Sequence, residues 1–425
     1  MTGRGRTSNR GSASERRRAP LYALFVADTI SLSGNVVALV AIPWFVLQET
    51  GSAALTGLSG FFTWLPVVIA AFFGGVVVDR LGFRTTSVVA DVASAAAVAA
   101  IPALHLTVGI EIWQLFALVF LGALLDAPGS TARRSLLPDL AQLADMRLER
   151  ATSIAQAIRQ GSFLVGAPLG GVLVAALGAT NALWVDAASF LASAALLRLF
   201  VAAVREEPQE RAGYFSDLAE GIRFVWGDRL IRAVVLTVLL TNFLDAPLAT
   251  VLMPVYVDQE FGSVDRLGLI VGVFGAGTIL GAVAFAAVGH RLPRRRTFVI
   301  SFVLVSFPYM VLALTPSLAV VLAAVAFFGL AAAPLNPILG TVAFERIPPA
   351  LRGRVLGTAT AGAYSAIPLG LLAGGVLVEA IGLGPTLLAI GLCYLAVTSY
   401  GLVNPAFKEM DARPPEATAE PARAR

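Results

Sequence analysis

The sequence predicts an all-α integral membrane protein in which twelve spanning helices form two pseudo-symmetric six-helix bundles. Three observations lead to this fold class: the composition, the number of long apolar segments, and a repeat between the two halves. Of the 425 residues, 57% are hydrophobic and only 14% are charged, whereas a soluble domain carries about 25% charged residues. Most of the protein surface is therefore expected to face lipid rather than water.

Twelve segments are long and apolar enough to cross a bilayer, which takes about 20 helical residues. The predicted spans are 21–48, 54–78, 86–106, 112–132, 152–178, 182–204, 231–257, 266–289, 297–315, 318–340, 354–381 and 384–404. The basic N-terminus (1–20) is expected to be disordered and cytoplasmic, and 405–425 to form a cytoplasmic tail. The charged linker 205–230 separates an N-terminal bundle (21–204) from a C-terminal bundle (231–404).

The second part of this linker spaces Phe215, Leu218, Ile222 and Val225 at helical intervals. This spacing predicts an amphipathic helix that lies on the cytoplasmic membrane surface. A solvated linker is the alternative.

The two halves repeat at an offset of 211 residues. IPWFV (42–46) aligns there with MPVYV (253–257), and DRLGFR (79–84) aligns with HRLPRR (290–295). Two parallel six-helix repeats are a transporter architecture, in which the substrate site lies at the interface of the halves near the bilayer midplane.

The arginines predict the orientation, because short cytoplasmic loops carry an excess of basic residues. Basic residues occur in nearly every turn on one side of the predicted topology, among them Arg133 and Arg134 in the turn after span 4. Arg266 is the sole arginine that we place on the other side. We therefore expect a multi-pass protein of the plasma membrane with both termini in the cytoplasm.

The turn after span 2 reads GGVVVDRLGFR (74–84). Together with the twelve spans and the repeat, it resembles the major facilitator superfamily, whose pattern at this place is G-x-x-x-D-R-x-G-x-R-R. The matching residues are Gly75, Asp79, Arg80, Gly82 and Arg84. The resemblance implies that they gate the transporter, and that Asp79 holds the halves shut at the N-terminal end of span 11, near Arg352 and Arg354.

Within this superfamily the sequence is most similar to the drug-exporter branch, which includes macrolide and enterobactin exporters and Tap-type multidrug efflux proteins. The segments IPWFVLQETGSA (42–53) and AIPLGLLAGGVL (366–377) carry the narrower match. It implies proton-coupled antiport by alternating access, in which antibiotics and other small amphiphilic compounds leave the cytoplasm. Transport of a specific metabolite or siderophore in either direction, and a non-transporting receptor, are the alternatives.

Charged side chains inside spans are candidates for proton coupling, because an ionised group at mid-membrane costs about 2.5–3.5 kcal/mol on insertion scales. Asp28 is the first candidate and Asp126 the second, with Arg159 as the counter-charge and Asp245 deeper in span 7. For Asp126 the alternative is a permanent ion pair with Arg159 that only joins spans 4 and 5. For Asp28 it is a carboxylate that merely lies near a hydrated cytoplasmic vestibule.

By the family's architecture, spans 1, 4, 5 and 7 line the central cavity, and spans 3 and 6 lie outside it. Asp91 on span 3 is therefore assigned to the charge network near the span 2–3 turn. Asp186 on span 6 is assigned to a helix cap or an interfacial position near the outer surface.

Span 5 carries the exporter motif of the resemblance in altered form, with its proline one place later. Its residues are Ser162, Gly166, Pro168, Gly170 and Gly171. Small residues four apart allow close helix approach, so the segment is either a hinge or a tight packing surface.

A polar and four aromatic side chains are candidates for substrate contact, with packing against core or lipid as the alternative. These are Asn35, Trp64, Phe243, Tyr256 and Tyr364.

The composition also excludes several classes of function. Cys393 is the only cysteine and His105 and His290 are the only histidines, which argues against a metal centre. Because no catalytic carboxylate pair or nucleotide-binding loop is visible and the arginines are scattered, we expect neither an enzyme, nor a cofactor, nor a nucleic-acid partner. The expected partners are a small-molecule substrate, protons and the lipid bilayer, and the protein is expected to be a monomer.

Overall fold

The computed structural model describes residues 7–201, 214–314 and 317–411, with the side chains of 7–16, 71–81, 214, 215, 217 and 350 left aside. All helices longer than two turns are α-helices, and no strand occurs in the described part of the chain. The α-helices are α1 (Thr7–Thr50), α2 (Ala53–Leu81), α3 (Phe83–Thr107), α4 (Ile112–Leu143), α5 (Leu148–Leu177), α6 (Ala179–Phe200), α7 (Tyr214–Gly227), α8 (Arg229–Pro247), α9 (Met253–Glu260), α10 (Val264–Val288), α11 (Arg294–Leu314), α12 (Leu318–Ala332), α13 (Leu335–Arg346), α14 (Arg352–Tyr364), α15 (Ile367–Ile381) and α16 (Leu383–Val403).

Twelve helical segments of the described chain are long and apolar enough to cross a membrane. This confirms the predicted all-α membrane fold. Spans 7, 10 and 11 each consist of two helices, α8–α9, α12–α13 and α14–α15, and Pro247, Pro334 and Pro368 lie at the three breaks. Proline lacks the N–H that the helix ladder needs at such a position, so the chain bends or changes helix type there.

Two of the sequence-based boundaries are wrong. The first helix begins at Thr7, so residues 7–20, expected to be disordered, continue span 1 as helix, and residues 1–6 lie outside the described residues. Extending an existing helix is far easier than nucleating a new one. Helix α4 runs to Leu143, beyond the predicted end at 132. The charges of Arg133 and Arg134 had indicated a turn, but both residues lie inside the helix.

The linker contains the expected helix, α7, which packs against α14. A Cβ on Gly221 would lie 2.8 Å from the carbonyl oxygen of Arg354, and Val225 is buried with Val355 in a small apolar cluster. Trp226 on the same helix is 56% exposed. The helix is thus docked on the second half and keeps an exposed aromatic residue.

Glycines bring the two halves into backbone contact at the end of the molecule opposite the N-terminus. A Cβ on Gly171 of α5 would lie 2.8 Å from the Cα of Gly268 of α10, and one on Gly57 of α2 would lie 3.1 Å from the Cα of Gly375 of α15. Small residues permit this close approach between helices. The α5–α10 and α2–α15 seams therefore hold the halves together at this end.

Polar contacts reinforce the seams at the same end. The Gln48 amide donates a hydrogen bond to Asp258 across 2.7 Å. The Glu379 carboxylate accepts from the Ser52 hydroxyl at 2.7 Å and from the Ala54 backbone N–H at 3.0 Å. Each of these bonds joins one half of the chain to the other.

Candidate functional site

A buried arginine side chain contacts three carboxylates, which come from three helices. Arg133 of α4 is 2% exposed, and its Nε lies 2.9 Å from Asp28 Oδ1 on α1. Its Nη1 lies 2.6 Å from Asp91 Oδ1 on α3, and its Nη2 lies 3.5 Å from Asp126 Oδ1 on α4. We call these four residues the Arg133 cluster.

Local sequence explains how the cluster assembles. Asp126 and Arg133 are seven residues apart, which is two turns, so both side chains lie on the same face of α4. Gly129 lies between them, and a Cβ there would be 2.7 Å from the Cβ of Ala90 on α3. This close approach of α3 brings Asp91, which is 0% exposed, within reach of the guanidinium.

The cluster has more negative than positive groups. One guanidinium faces three carboxyl groups, and Asp91 Oδ2 has no hydrogen-bond partner among the described residues. Unpaired charge is costly to bury. Arg134 and Arg159 at the cavity wall offset part of this excess, and a proton bound to a carboxylate would lower it further.

A cavity of about 390 Å³ adjoins the cluster. Apolar side chains form most of its wall, and the polar wall groups include Asn35, Asp126, Arg159 and Asp186. The volume falls in the range of small-molecule pockets, about 300–1,000 Å³. The Asn35 amide donates a hydrogen bond of 3.3 Å to Asp126 Oδ2. Asp126 thus belongs both to the Arg133 cluster and to the cavity wall.

The cavity lies within the first half rather than at the interface that the repeat indicated. Its wall comes from α1 to α6, and Thr250 of span 7 is the second-half residue in it. The described side chains of Phe243 and Asp245, also in span 7, do not line it.

Arg133 makes the direct ion pairs with Asp28 and Asp126, and Arg159, the predicted counter-charge, attracts Asp28 without such a contact. Arg159 lines the cavity, and the described part of the chain contains no ion pair between Asp126 and Arg159. The predicted cytoplasmic turn at Arg133 is wrong, because this residue lies inside α4.

Asp245 is separate from the cluster. Its carboxylate accepts hydrogen bonds from Tyr309 at 2.7 Å and from Tyr394 at 3.1 Å. The two tyrosine rings stack with their centroids 6.0 Å apart, and both are buried. The structure therefore brings together Asp28 and Asp126 of the predicted coupling residues, and holds Asp245 inside the second half.

Asp91 and Asp186 lie closer to the cavity and the Arg133 cluster than the sequence predicts. Asp91 contacts Arg133 directly, and Asp186 is 1% exposed on the cavity wall instead of capping an outer helix end. A Cβ on Gly34 of α1 would lie 2.6 Å from Asp186 Oδ1, so the glycine leaves space for the carboxylate.

A sequence signal for these residues exists. Polar residues recur at helical spacing on α3 (Ser87, Asp91 and Ser94), and all three are 0% exposed. Such a polar stripe within an otherwise apolar span marks the face that turns inward.

The span 5 motif forms a packing surface. Cβ atoms on Gly166 and Gly170 would lie 3.1 Å from Val36 Cβ and Val37 Cα of α1 respectively. On the other side Pro168 Cγ lies against Gly272 of α10, where an added Cβ would be 2.5 Å away.

The remaining motif residues have different surroundings. Gly171 contacts Gly268 at the α5–α10 seam, and Ser162 is buried at the cavity wall. Helix α5 is continuous through Pro168, from Leu148 to Leu177.

The aromatic candidates divide into two groups. Trp64 lines the cavity, and Tyr364 meets its ring edge-on with the centroids 6.5 Å apart. Tyr256 is 3% exposed and packs edge-on against Phe261. Phe243 touches Gly370 of α15 through its backbone carbonyl.

The gating candidates make local contacts where the structure describes them. Gly82 has φ +77° between α2 and α3, a backbone conformation that favours glycine. Arg84 donates to the Arg198 carbonyl at 2.7 Å, Arg352 donates to the Phe344 carbonyl at 2.9 Å, and Arg354 pairs with Glu220 of α7. The predicted roles of the Gly75, Asp79 and Arg80 side chains lie outside the described residues.

The sequence model of the transmembrane secretion effector family, within the major facilitator superfamily, matches residues 15–424. The chain belongs to this family. Membership assigns this transmembrane secretion effector to the multi-pass transporters of the superfamily and not to an enzyme class.

Two relatives of this transporter match over nearly the whole chain. The multidrug efflux pump Tap of Mycobacterium tuberculosis (strain ATCC 25618 / H37Rv) is 35% identical over 96% of this chain and 97% of its own. The Tap pump of Mycolicibacterium fortuitum is 33% identical over 93% and 98%. The crystal structure of the nucleoside transporter NupG superposes with a TM-score of 0.74 at 12% identity, over 92% of this chain and 99% of that one, which supports the fold alone.

Proposed function

We propose that this transporter exports small amphiphilic compounds, such as antibiotics, from the cytoplasm in exchange for protons by alternating access. One observation carries the proposal: Asp126 belongs both to the wall of a largely apolar cavity and to the buried Arg133 cluster. A compound in the cavity and a proton in the cluster would therefore act on the same carboxylate.

Two further facts support drug export over transport of one specific metabolite. The two Tap relatives, which match 96% and 93% of the chain, are named multidrug efflux pumps. The cavity wall is mostly apolar, with few hydrogen-bonding groups, and such a wall suits varied amphiphilic molecules better than one strongly polar metabolite.

Exchange would follow from competition within the Arg133 cluster. A substrate that contacts Asp126 and Asn35 disturbs their 3.3 Å hydrogen bond and the neighbouring 3.5 Å ion pair to Arg133. A proton on Asp126 or Asp28 removes a negative charge from the same network. The entering substrate would displace this proton to the cytoplasm, and loading another proton from outside after the substrate has left would return the cluster to its starting charge. Each cycle would then export one substrate and import one proton.

Alternating access would use the seams between the halves. Both lie at the end opposite the N-terminus, and the positive-inside rule supports the cytoplasm for the N-terminal side. Opening the α5–α10 and α2–α15 seams would expose the cavity to the outside. Closure at the cytoplasmic end would then involve the span 2–3 turn with Asp79, in a single protomer.

Transport into inverted vesicles tests the proposal. Vesicles that contain the wild-type protein should accumulate an amphiphilic dye when their interior is acidified, and a protonophore should abolish the accumulation. Asp28→Asn and Asp126→Asn should each lose the dependence on the gradient, because a neutral amide cannot carry the proton. Asp139→Asn, an exposed position on the same α4 helix, is the matched control and should behave as wild type.

Three results would refute specific parts of the proposal. Equal dye accumulation with and without the proton gradient would exclude proton coupling. Accumulation in right-side-out vesicles alone would indicate an importer. Unchanged coupling in Asp126→Asn would remove the link between the cavity and the Arg133 cluster.

A further inference from the structure

A second cavity, of about 560 Å³, lies between α8 and α16. Its wall on α8 runs from Arg229 and Arg232 to Leu240, and α16 contributes Val397 and Tyr400. The 11 residue steps from Arg229 to Leu240 correspond to about 16 Å of helix. That length is about half of the roughly 30 Å hydrocarbon thickness of a bilayer, which is the depth of one lipid leaflet.

The cavity is basic at one end and apolar along its length. Arg229 is exposed and has no ion pair or hydrogen bond among the described residues. Arg232 uses Nη1 to donate to the Trp226 carbonyl at 2.6 Å, which leaves most of its five N–H donors available. Leu236 and Leu240 continue the same face of α8 and are 42% and 45% exposed.

The acidic groups at this end already have partners. Glu409, which lines the cavity, pairs with Arg346 at 2.6 Å. Asp228 pairs with the same arginine at 3.1 Å and also accepts hydrogen bonds from the backbone N–H groups of Leu230 and Ile231. Arg346 balances one of these two carboxylates, so the three arginines and two carboxylates at this end leave a net charge of +1 beside the cavity.

The repeat shows that this cavity is peculiar to the second half. At the offset of 211, Leu21 of α1 corresponds to Arg232 and Phe25 corresponds to Leu236. Leu21 is 0% and Phe25 5% exposed, and both belong to the buried cluster that includes Leu197 of α6. Where the first half packs two helices together with apolar side chains, the second half has an arginine and an open groove.

The level of the cavity in the membrane is indicated by α7. Its Trp226 is exposed beside the arginines, and tryptophan is enriched at the boundary between lipid and water. Arg229 and Arg232 thus lie where phospholipid headgroups lie, with the apolar wall directed toward the acyl chains. Basic pockets between spans at this level suit anionic headgroups.

We propose that the α8–α16 groove binds one anionic phospholipid, with its phosphate on Arg229 and Arg232 and an acyl chain along Leu236 and Leu240. Under the proposed orientation the lipid belongs to the cytoplasmic leaflet. The site is independent of the export activity proposed above, since none of its residues lines the first-half cavity.

Native mass spectrometry of the purified full-length protein tests the site with dioleoyl phosphatidylglycerol, dioleoyl phosphatidylcholine and inorganic phosphate as separate probes. Wild-type protein should bind the phosphatidylglycerol at least tenfold more tightly than the phosphatidylcholine. The double variant Arg229→Gln/Arg232→Gln should bind phosphatidylglycerol about 30-fold more weakly, from the loss of two surface charges near a headgroup. Arg229→Lys/Arg232→Lys should retain most of the affinity.

A matched control separates the groove from general charge. Arg150→Gln/Arg296→Gln removes two exposed arginines of the same predicted side and should leave the affinity unchanged. Leu236→Trp fills the apolar part of the groove and should weaken the binding of phosphatidylglycerol. Melting temperatures report whether each variant is folded.

Several results would overturn the proposal. Equal affinity for the two lipids, or an equal loss in the Arg150/Arg296 control, would mean that no specific anionic site exists. Unaltered phosphatidylglycerol binding in Leu236→Trp, together with inorganic phosphate binding as tightly as the lipid, would assign the arginines to free phosphate.

Discussion

Gly171→Ala should push the two halves apart at the α5–α10 seam. The added methyl group would lie 2.8 Å from Gly268 Cα and 3.1 Å from the Val264 carbonyl oxygen, short of the 3.4 Å of ordinary contact by up to 0.6 Å. Both neighbours are backbone atoms and cannot rotate away, so the helices themselves must separate. Overpacking of this kind costs about 1–3 kcal/mol. If the cost falls on the closed seam alone, the population shifts about 5- to 150-fold toward a state with the seam open.

Gly161→Ala is the matched control, because it places the same methyl group on the same helix with nothing within 4 Å. The measurement is the distance between spin labels on Glu49→Cys and Gln259→Cys, which are exposed at this end of spans 1 and 7. Cys393, the only cysteine, is replaced by serine. Wild type and Gly161→Ala should give one short distance, and Gly171→Ala should add a longer one. An unaltered distribution in a folded Gly171→Ala protein would refute the reasoning.

The remaining predictions concern charged groups. Arg133→Gln should lower the melting temperature strongly, because removing one partner of a buried ion pair costs about 3–5 kcal/mol. Adding Asp91→Asn should recover part of this loss of stability. Strictly additive losses in this double-mutant cycle would contradict direct coupling between the two residues. Glu379→Gln should weaken the contacts to Ser52 and Ala54 and lengthen the same spin-label distance in a smaller fraction of molecules than Gly171→Ala does. A larger fraction would mean that this polar contact, and not the glycine seam, holds the halves together.

The fold could be predicted because its main determinant is length and apolarity. Hydropathy alone located twelve spans, since only helices satisfy the backbone in lipid without a closed barrel. Charge was a less reliable guide to where a helix ends. Arg133 and Arg134 seemed to end span 4, but buried partners on α1 and α3 make Arg133 an internal residue, and such partners cannot be located before the tertiary structure is known.

The site could be predicted only in part for the same reason. The rule that intramembrane charges need an explanation pointed to Asp28 and Asp126, which the structure places on one guanidinium. The same rule applies to Asp91 and Asp186. They were excluded from the candidate coupling residues because spans 3 and 6 were assigned to the periphery of the bundle. The exposure of Asp91 is 0% and that of Asp186 is 1%, so the individual charge was better evidence than the average position of its helix.

All four members of the Arg133 cluster belong to the first half of the chain. A rigid rotation of one half against the other leaves the distances among α1, α3 and α4 unchanged, so the transport movement by itself cannot make or break these ion pairs. Any change in the cluster has to arise from water, a proton or a ligand that enters the first half. The proton or ligand bound to the cluster would then determine when the two halves move.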